Sequence, residues 1–248
     1  MRVDVFFGPH ELVPSDVVNR VIAVVDVLRA STSIAVALGN GARAVIPLAS
    51  SEEVVSRANL LTRSEVKLAG ERKMQPIPGF DAGNSPREFS REAVEGKTIL
   101  MSTTNGTSAV LATQGARDVV IGSYVNFSAV LSMLRAALRG GADVAILCAG
   151  QEKRFALEDA ACAGLFVQQI TAKQSKAEIN DAAQAAMLID KKFGSNVKRL
   201  LRTSAHGIAL ADAGFADDLD LCAELDAYPV VPVFQDRQIT KLGTERAR

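Results

Sequence analysis

The sequence predicts an α/β fold: a mixed, largely parallel sheet with helices on both faces, containing an internally duplicated βαβα unit. Two observations carry that prediction. Short, nearly continuous apolar runs rich in Val and Ile alternate with small-residue or amphipathic stretches, as in strands buried on both faces and connected by helices. In addition, TSIAVALGNGARAVI (Thr32 to Ile46) echoes TSAVLATQGARDVVI (Thr107 to Ile121) in its opening Thr-Ser and its Gly-Ala-Arg. The offset is 75 residues from Thr32 to Thr107 and 74 from Gly41 to Gly115, one deletion apart. Two copies at that spacing read as duplication of a unit, not as a solenoid.

Taken in order, the apolar runs predict strands at Val21 to Val25, Ala44 to Pro47, Val66 to Ala69, Thr98 to Met101, Val119 to Ile121 and Val144 to Leu147. Between them, helical stretches fall at Thr32 to Leu38, Glu52 to Leu61, Thr107 to Thr113, Phe127 to Arg139 and Leu157 to Ile170. The last third changes character. Helices are expected over Asn180 to Phe193 and Val197 to Leu201, and two short pieces separated by Gly214 over Gly207 to Ala223. The prolines of AYPVVPVF demote that segment to an edge strand or extended tail. The 248 residues suit one compact unit over 1–248, or two lobes meeting near residue 140.

Composition narrows the partners. Lys+Arg and Asp+Glu are both 28, so no global field draws the chain to nucleic acid or to an anionic membrane, and a small molecule is the expected partner. The N-terminus does not read as a signal peptide, and no run approaches the roughly 20 apolar residues of a membrane helix. The three cysteines, Cys148, Cys162 and Cys222, are odd in number and far apart. They suit a reducing cytoplasm rather than a disulfide framework or a zinc knuckle. The apolar C-terminal tail offers a surface for a homo-oligomer.

Three polar constellations carry the chemistry. If the repeat is real, VDVLRAST (Val25 to Thr32) and MSTTNGT (Met101 to Thr107) are equivalent loops at carboxyl ends of strands, where open α/β sheets bind ligands. The first supplies Asp26 and Arg29. The second supplies Thr103, Thr104, Asn105, Gly106 and Thr107: hydroxyl donors, an Asn-Gly pair that permits a nest of N–H groups at positive φ, and a helix start. The same residues would also serve as a plain helix cap and turn. A second constellation, GERKMQPIPGFDAGNSPRE (Gly70 to Glu88), is a proline- and glycine-rich loop holding Glu71, Arg72, Asp81, Asn84 and Ser85. The third, CAGQEKRFALEDAACAG (Cys148 to Gly164), places Glu158 and Asp159 side by side in an otherwise apolar stretch; on a buried helix at least one needs Mg²⁺ or an Arg as partner, whereas on a solvated face they would simply complement the helix dipole.

Other phosphate chemistries are weaker or absent. Cys148 and Arg154 have the bare C-x5-R spacing of thiolate phosphatases, but Glu152 lies inside that loop and no Ser or Thr follows the Arg. There is no P-loop, no complete dinucleotide fingerprint and no G-x-S-x-G, and Leu28 rules out a D-x-D pair starting at Asp26. With only His10 and His206, an oxygen-ligated hard cation is favoured over a multi-histidine centre. A non-catalytic binder of an anionic metabolite is the alternative from another class.

Together VDVLRASTS, GERKMQPIPGFDAGNSP, ILMSTTNGTSAV, CAG with FALEDAACAG, and DDLDLCAELDAYPVVPVF resemble the 2-phosphosulfolactate phosphatase family over nearly the whole chain. Ser31 and Ser33 stand where that family's pattern often has Thr. The resemblance implies an α/β, Mg²⁺-dependent phosphohydrolase that converts 2-phospho-3-sulfolactate to 3-sulfolactate and phosphate on the route toward coenzyme M. It carries over to Asp26, Arg29, Glu71, Asp81, Asn84, Ser85, Thr103 to Thr107, Asn126, Gly150, Glu158 and Asp159. The resulting expectation is Asp26, Glu158 and Asp159 as metal ligands and Asp26, Glu71 and Asp81 as catalytic carboxylates. Arg29 and Arg72 are the expected anion grips, with Asn84, Ser85 and Thr103 to Thr107 around the phosphate.

Overall fold

The computed structural model describes residues 1–174 and 176–243. Its strands are β1 (Arg2–Phe6), β2 (Val21–Val25), β3 (Ala44–Pro47), β4 (Val66–Arg72), β5 (Gln75–Pro76), β6 (Thr98–Ser102), β7 (Asp118–Gly122), β8 (Val144–Cys148), β9 (Glu178–Ile179), β10 (Pro232–Gln235) and β11 (Gln238–Lys241). They form one mixed sheet in the order β5-β4-β6-β3-β11-β10-β7-β2-β8-β1-β9. The α-helices are α1 (Pro14–Val17), α2 (Ala30–Gly39), α3 (Ser51–Ala58), α4 (Arg91–Val94), α5 (Gly106–Ala112), α6 (Phe127–Arg139), α7 (Leu157–Thr171), α8 (Asp181–Phe193), α9 (Val197–Thr203), α10 (Ala205–Leu210) and α11 (Ala216–Cys222). Among the described residues no helix is long and apolar enough to cross a membrane.

Two blocks of parallel strands make up most of the sheet. In one, β4 and β3 flank β6; in the other, β7 and β8 flank β2, and β1 lies beyond β8. The hairpin β10-β11 joins them, antiparallel to β7 on one side and to β3 on the other. The two copies of the repeat, β2-α2-β3-α3 and β6-α5-β7-α6, each cross from one block to the other in opposite senses. The first strand of each copy therefore pairs with the second strand of the other, β2 with β7 and β6 with β3.

Strand periodicity explains the layering. Along β2, Val21, Ala23 and Val25 face a cluster that includes Val130 and Leu134 of α6 and Phe166 of α7, whereas Ile22 and Val24 face Ile34 and Val36 of α2 and Ala109 of α5. In the other block Leu100 of β6 packs toward Val54 of α3, while its neighbours Ile99 and Met101 join the central cluster with α2 and α5. Both faces are covered, and α2 is buried from Ala30 to Leu38 without a polar stripe.

The end of AYPVVPVF, from Pro232 to Phe234, is neither an edge strand nor a tail, while Ala227 to Val231 is irregular chain leading into it. β10 lies in the middle of the sheet, because Pro232 is the first residue of its strand and the ladder to β7 runs through Val233 and Phe234. β1, which opens on the charged Arg2, and the short β5, β9 and β11 lack the long apolar run that marks the other strands. Gly214 does separate two helices, at φ 92° within the π-helical segment Ala211–Phe215.

Candidate active site

The crossing repeat brings its two polar loops together. At the start of α5, Gly106 packs so closely that a Cβ there would lie 2.6 Å from Asp26 Oδ2 and would collide with the Ala30 Cβ. The glycine is needed for this approach, not for backbone freedom: it is absent from the residues with positive φ, and Asn105 has φ −114°. The expected nest at positive φ does not form. Thr103 and Thr107 instead brace the turn, since the Thr103 N–H donates to Thr107 Oγ1 (2.9 Å) and the Thr107 N–H to Thr103 Oγ1 (3.1 Å).

A cavity opens beside this junction, lined among others by Asp26, Arg29, Glu71, Thr104, Glu152 and His206. Glu71, at the end of β4, accepts from the Thr104 N–H (2.7 Å) and hydroxyl (3.1 Å) and from the Met74 N–H (2.9 Å). It thereby ties the β4-β5 turn to the threonine loop. Asp159 accepts from the N–H groups of Val27 (2.8 Å) and Gly150 (3.1 Å), joining the loops after β2 and β8. Glu158 reaches His206 Nδ1 with one oxygen (3.0 Å), and its other oxygen, Oε2, is buried without a hydrogen-bond partner.

Electrostatics mark this cluster as short of positive charge. Burial lifts the Asp26 carboxyl to about 6; His206 opposes the shift, while Glu71 and Glu158 add to it. Asp159 is held well above the usual carboxylate range by burial, with Asp26 and Glu158 reinforcing the effect. Asp26 Oδ1 accepts from the Ala30 N–H (3.2 Å), and no protein donor reaches Oδ2 among the described residues. Arg29 does not redress the deficit. Its buried guanidinium donates to Asp218 Oδ2 (2.7 Å) and to the Met74 carbonyl (3.1 Å), and it lies 4.3 Å from the centroid of the Phe215 ring.

Residues 7–237 match the family profile described as 2-phosphosulpholactate phosphatase. The chain belongs to that family. Among similar proteins, one named probable 2-phosphosulfolactate phosphatase from Clostridium beijerinckii is 35% identical over 97% of this chain and 99% of its own length. Another of that name from Symbiobacterium thermophilum is 40% identical over 92% of this chain and 96% of its own length. A third, from Carboxydothermus hydrogenoformans, is 38% identical over 94% and 92%.

In this phosphatase-family chain the expected site residues divide into two groups. Asp26, Arg29, Glu71, Asn84, Thr103, Thr104 and Asn105 line the cavity. Glu158 and Asp159 lie buried next to it, and Ser85 donates to Asp218 Oδ1 (2.6 Å), which completes the hold on Arg29. Asp81 is not brought to the cluster: it accepts from Arg63 and from the Leu68 N–H. Arg72 is spent on backbone and hydroxyl oxygens of Glu71 and Ser102. Asn126 braces β7, donating to the Ile121 and Val230 carbonyls (3.0 and 3.2 Å).

The thiolate alternative fails on position. Cys148 ends a central strand, 1% exposed; burial raises its thiol well above the ordinary value, and Asp159 adds to that. Arg154 is exposed on the turn after it. A neutral core thiol is a poor nucleophile. Three residues of this region went unrecognised in the sequence: His206 and Lys73, which line the cavity, and Asp218, which holds Arg29. His206 had one cue, being one of only two histidines and set between Ala205 and Gly207; the other two look like ordinary surface charges until folded.

Proposed function

We propose that this chain is a Mg²⁺-dependent phosphomonoester hydrolase whose substrate is 2-phospho-3-sulfolactate, yielding 3-sulfolactate and phosphate. The observation that carries the reading is the buried carboxylate cluster with an unpartnered Glu158 oxygen and an Asp26 lifted to about 6. Such a wall repels a polyanionic substrate unless a cation enters with it. The three buried cysteines suit the same enzyme in a reducing cytoplasm.

Among the described residues no three His, Cys, Asp or Glu groups form a ready-made metal cage. Mg²⁺ does not need one, since it is commonly held by one or two carboxylates together with waters and substrate phosphate oxygens. Asp26 and Glu158 have oxygens to spare for that role, whereas Asp159 already receives two N–H donors. When bound, Mg²⁺ would neutralise phosphoryl charge and lower the pKa of a water. Glu71 takes both the N–H and the hydroxyl of Thr104 and so holds that loop in place beside the phosphoryl group. His206 is oriented by Glu158 through Nδ1, leaving Nε2 to hand a proton to the departing oxygen while the attacking water's protons stay with the phosphate released.

Phosphate release from 2-phospho-3-sulfolactate tests the proposal. EDTA should abolish turnover and Mg²⁺ restore it, and Asp26→Asn should reduce kcat/KM at least 100-fold. Wild-type turnover in Asp26→Asn, with unchanged Mg²⁺ dependence, would remove Asp26 from the mechanism.

A further inference from the structure

Two groups in the cavity are committed to nothing in the protein. Lys73 lines it and, among the described residues, makes no ion pair or hydrogen bond. Asn84 lines it too, is 4% exposed, and its Oδ1 is buried without a partner. Its amide nitrogen likewise has no protein acceptor among the described residues, so the whole carboxamide is unspent. A buried amide that makes no hydrogen bond is costly, and such groups are normally satisfied by a ligand or water. Because the two amide atoms are distinguished only by their partners, the group can turn its NH₂ toward an acceptor.

The placement of Lys73 is not incidental. It opens the two-residue turn between β4 and β5, with φ 50° at Lys73 and 69° at Met74. This is the geometry for which hairpins favour Asn-Gly, and side chains there carry a backbone cost. The turn is pinned from both sides by residues of the site, the Met74 N–H donating to Glu71 Oε2 (2.9 Å) and Arg29 Nη2 donating to the Met74 carbonyl (3.1 Å). A long, flexible cation is therefore mounted on a fixed base over the cavity. Arg29, the other cation on that wall, is already taken by Asp218.

We infer that Lys73 and Asn84 form a subsite for a second oxyanion of the substrate, the sulfonate or carboxylate opposite its phosphoryl group. A lysine ammonium and an amide NH₂ supply donors and one charge, which suits an oxyanion that needs neutralising without a metal. The inference rests on the phosphatase reading for the identity of the substrate, and it limits good substrates to phosphorylated hydroxy acids carrying another anion.

The test uses the full chain in two assays. Steady-state kinetics compare 2-phospho-3-sulfolactate with ethyl phosphate, which lacks the second anion. Calorimetry measures binding of 3-sulfolactate, which needs no turnover. Lys73→Met keeps the apolar stem and removes the charge, and Lys73→Arg restores it. Lys73→Met should lower the ratio of kcat/KM between the two substrates about tenfold, chiefly through KM, and weaken 3-sulfolactate binding by a similar factor. Lys73→Arg should recover most of both, and Asn84→Ala should move them in the same direction by a smaller factor. An unchanged ratio with unchanged binding overturns the subsite, as does failure of the wild-type protein to bind 3-sulfolactate at millimolar concentration. Lys73-dependent binding without hydrolysis of any phosphomonoester would support the subsite while overturning the phosphatase reading.

Discussion

Asp26 illustrates how a site residue can oppose the fold that holds it. Burial lifts its carboxyl from 3.8 to about 6. Between those values the folded protein holds a proton that the unfolded chain has released, so stability falls as pH rises through about 4 to 6, and the loss is complete above it. A gap of about two units bounds the effect at ~3 kcal/mol. Asp26→Asn keeps an acceptor for the Ala30 N–H and removes the charge. In EDTA at pH 7.5 its Tm should exceed the parent's by several degrees, while at pH 4 the two should coincide; a pH-independent difference would refute the assignment. Asp26 was visible in the sequence as a lone acid after a buried strand. His206 and Lys73 were not, because nothing local distinguishes a histidine oriented by Glu158 from one at the surface, or a lysine over a cavity from one in solvent.

Among the elements, the junction of α2 with α5 decides whether the cavity exists. Gly106→Ala would drive a methyl into Asp26 and Ala30. Overpacking of this kind costs about 1–3 kcal/mol and displaces the very carboxylate proposed to hold the metal. The expected outcome is a lower urea midpoint together with at least a tenfold loss of kcat/KM, whereas Ser108→Ala, exposed on the same helix, should leave both within error. The strands and helices flanking this junction were legible from apolar runs and small-residue stretches. Their ends match or shift by up to three residues: β2 keeps its expected bounds, whereas α2 begins at Ala30 rather than Thr32. The Thr-Ser of the repeat pointed to equivalent loops, but the reason for Gly106, just before the second Thr-Ser, was misread: close packing demands it, not a left-handed turn.

The whole molecule depends on a hairpin at its far end. β10 and β11 close the gap between two parallel blocks that otherwise share no strand pairing among the described residues. Ile239 of β11 is fully buried in the central cluster, opposite Val45 of β3. Ile239→Ala should cost about 2–4 kcal/mol, read as a lower urea midpoint with an unchanged slope, whereas Ile208→Ala, half exposed on α10, should stay within about 0.5 kcal/mol. If the two variants are equally stable, the hairpin is an appendage and not the bridge.

Hydrophobic period, glycine and proline placement and the echo of Thr-Ser with Gly-Ala-Arg act over a few residues, so the linear chain alone determined the fold class, most element positions and the polar loops that matter. The family follows from the order of those loops. Which strands neighbour one another was decided only by tertiary structure, because pairing β2 with β7 and β3 with β6 depends on contacts between residues far apart in the chain. The same holds for the roles of charge. Arg29 is neutralised by Asp218, 189 positions away, and Glu158 turns to His206, 48 positions away. A residue's charge is written in the chain, but its partner is supplied by the fold.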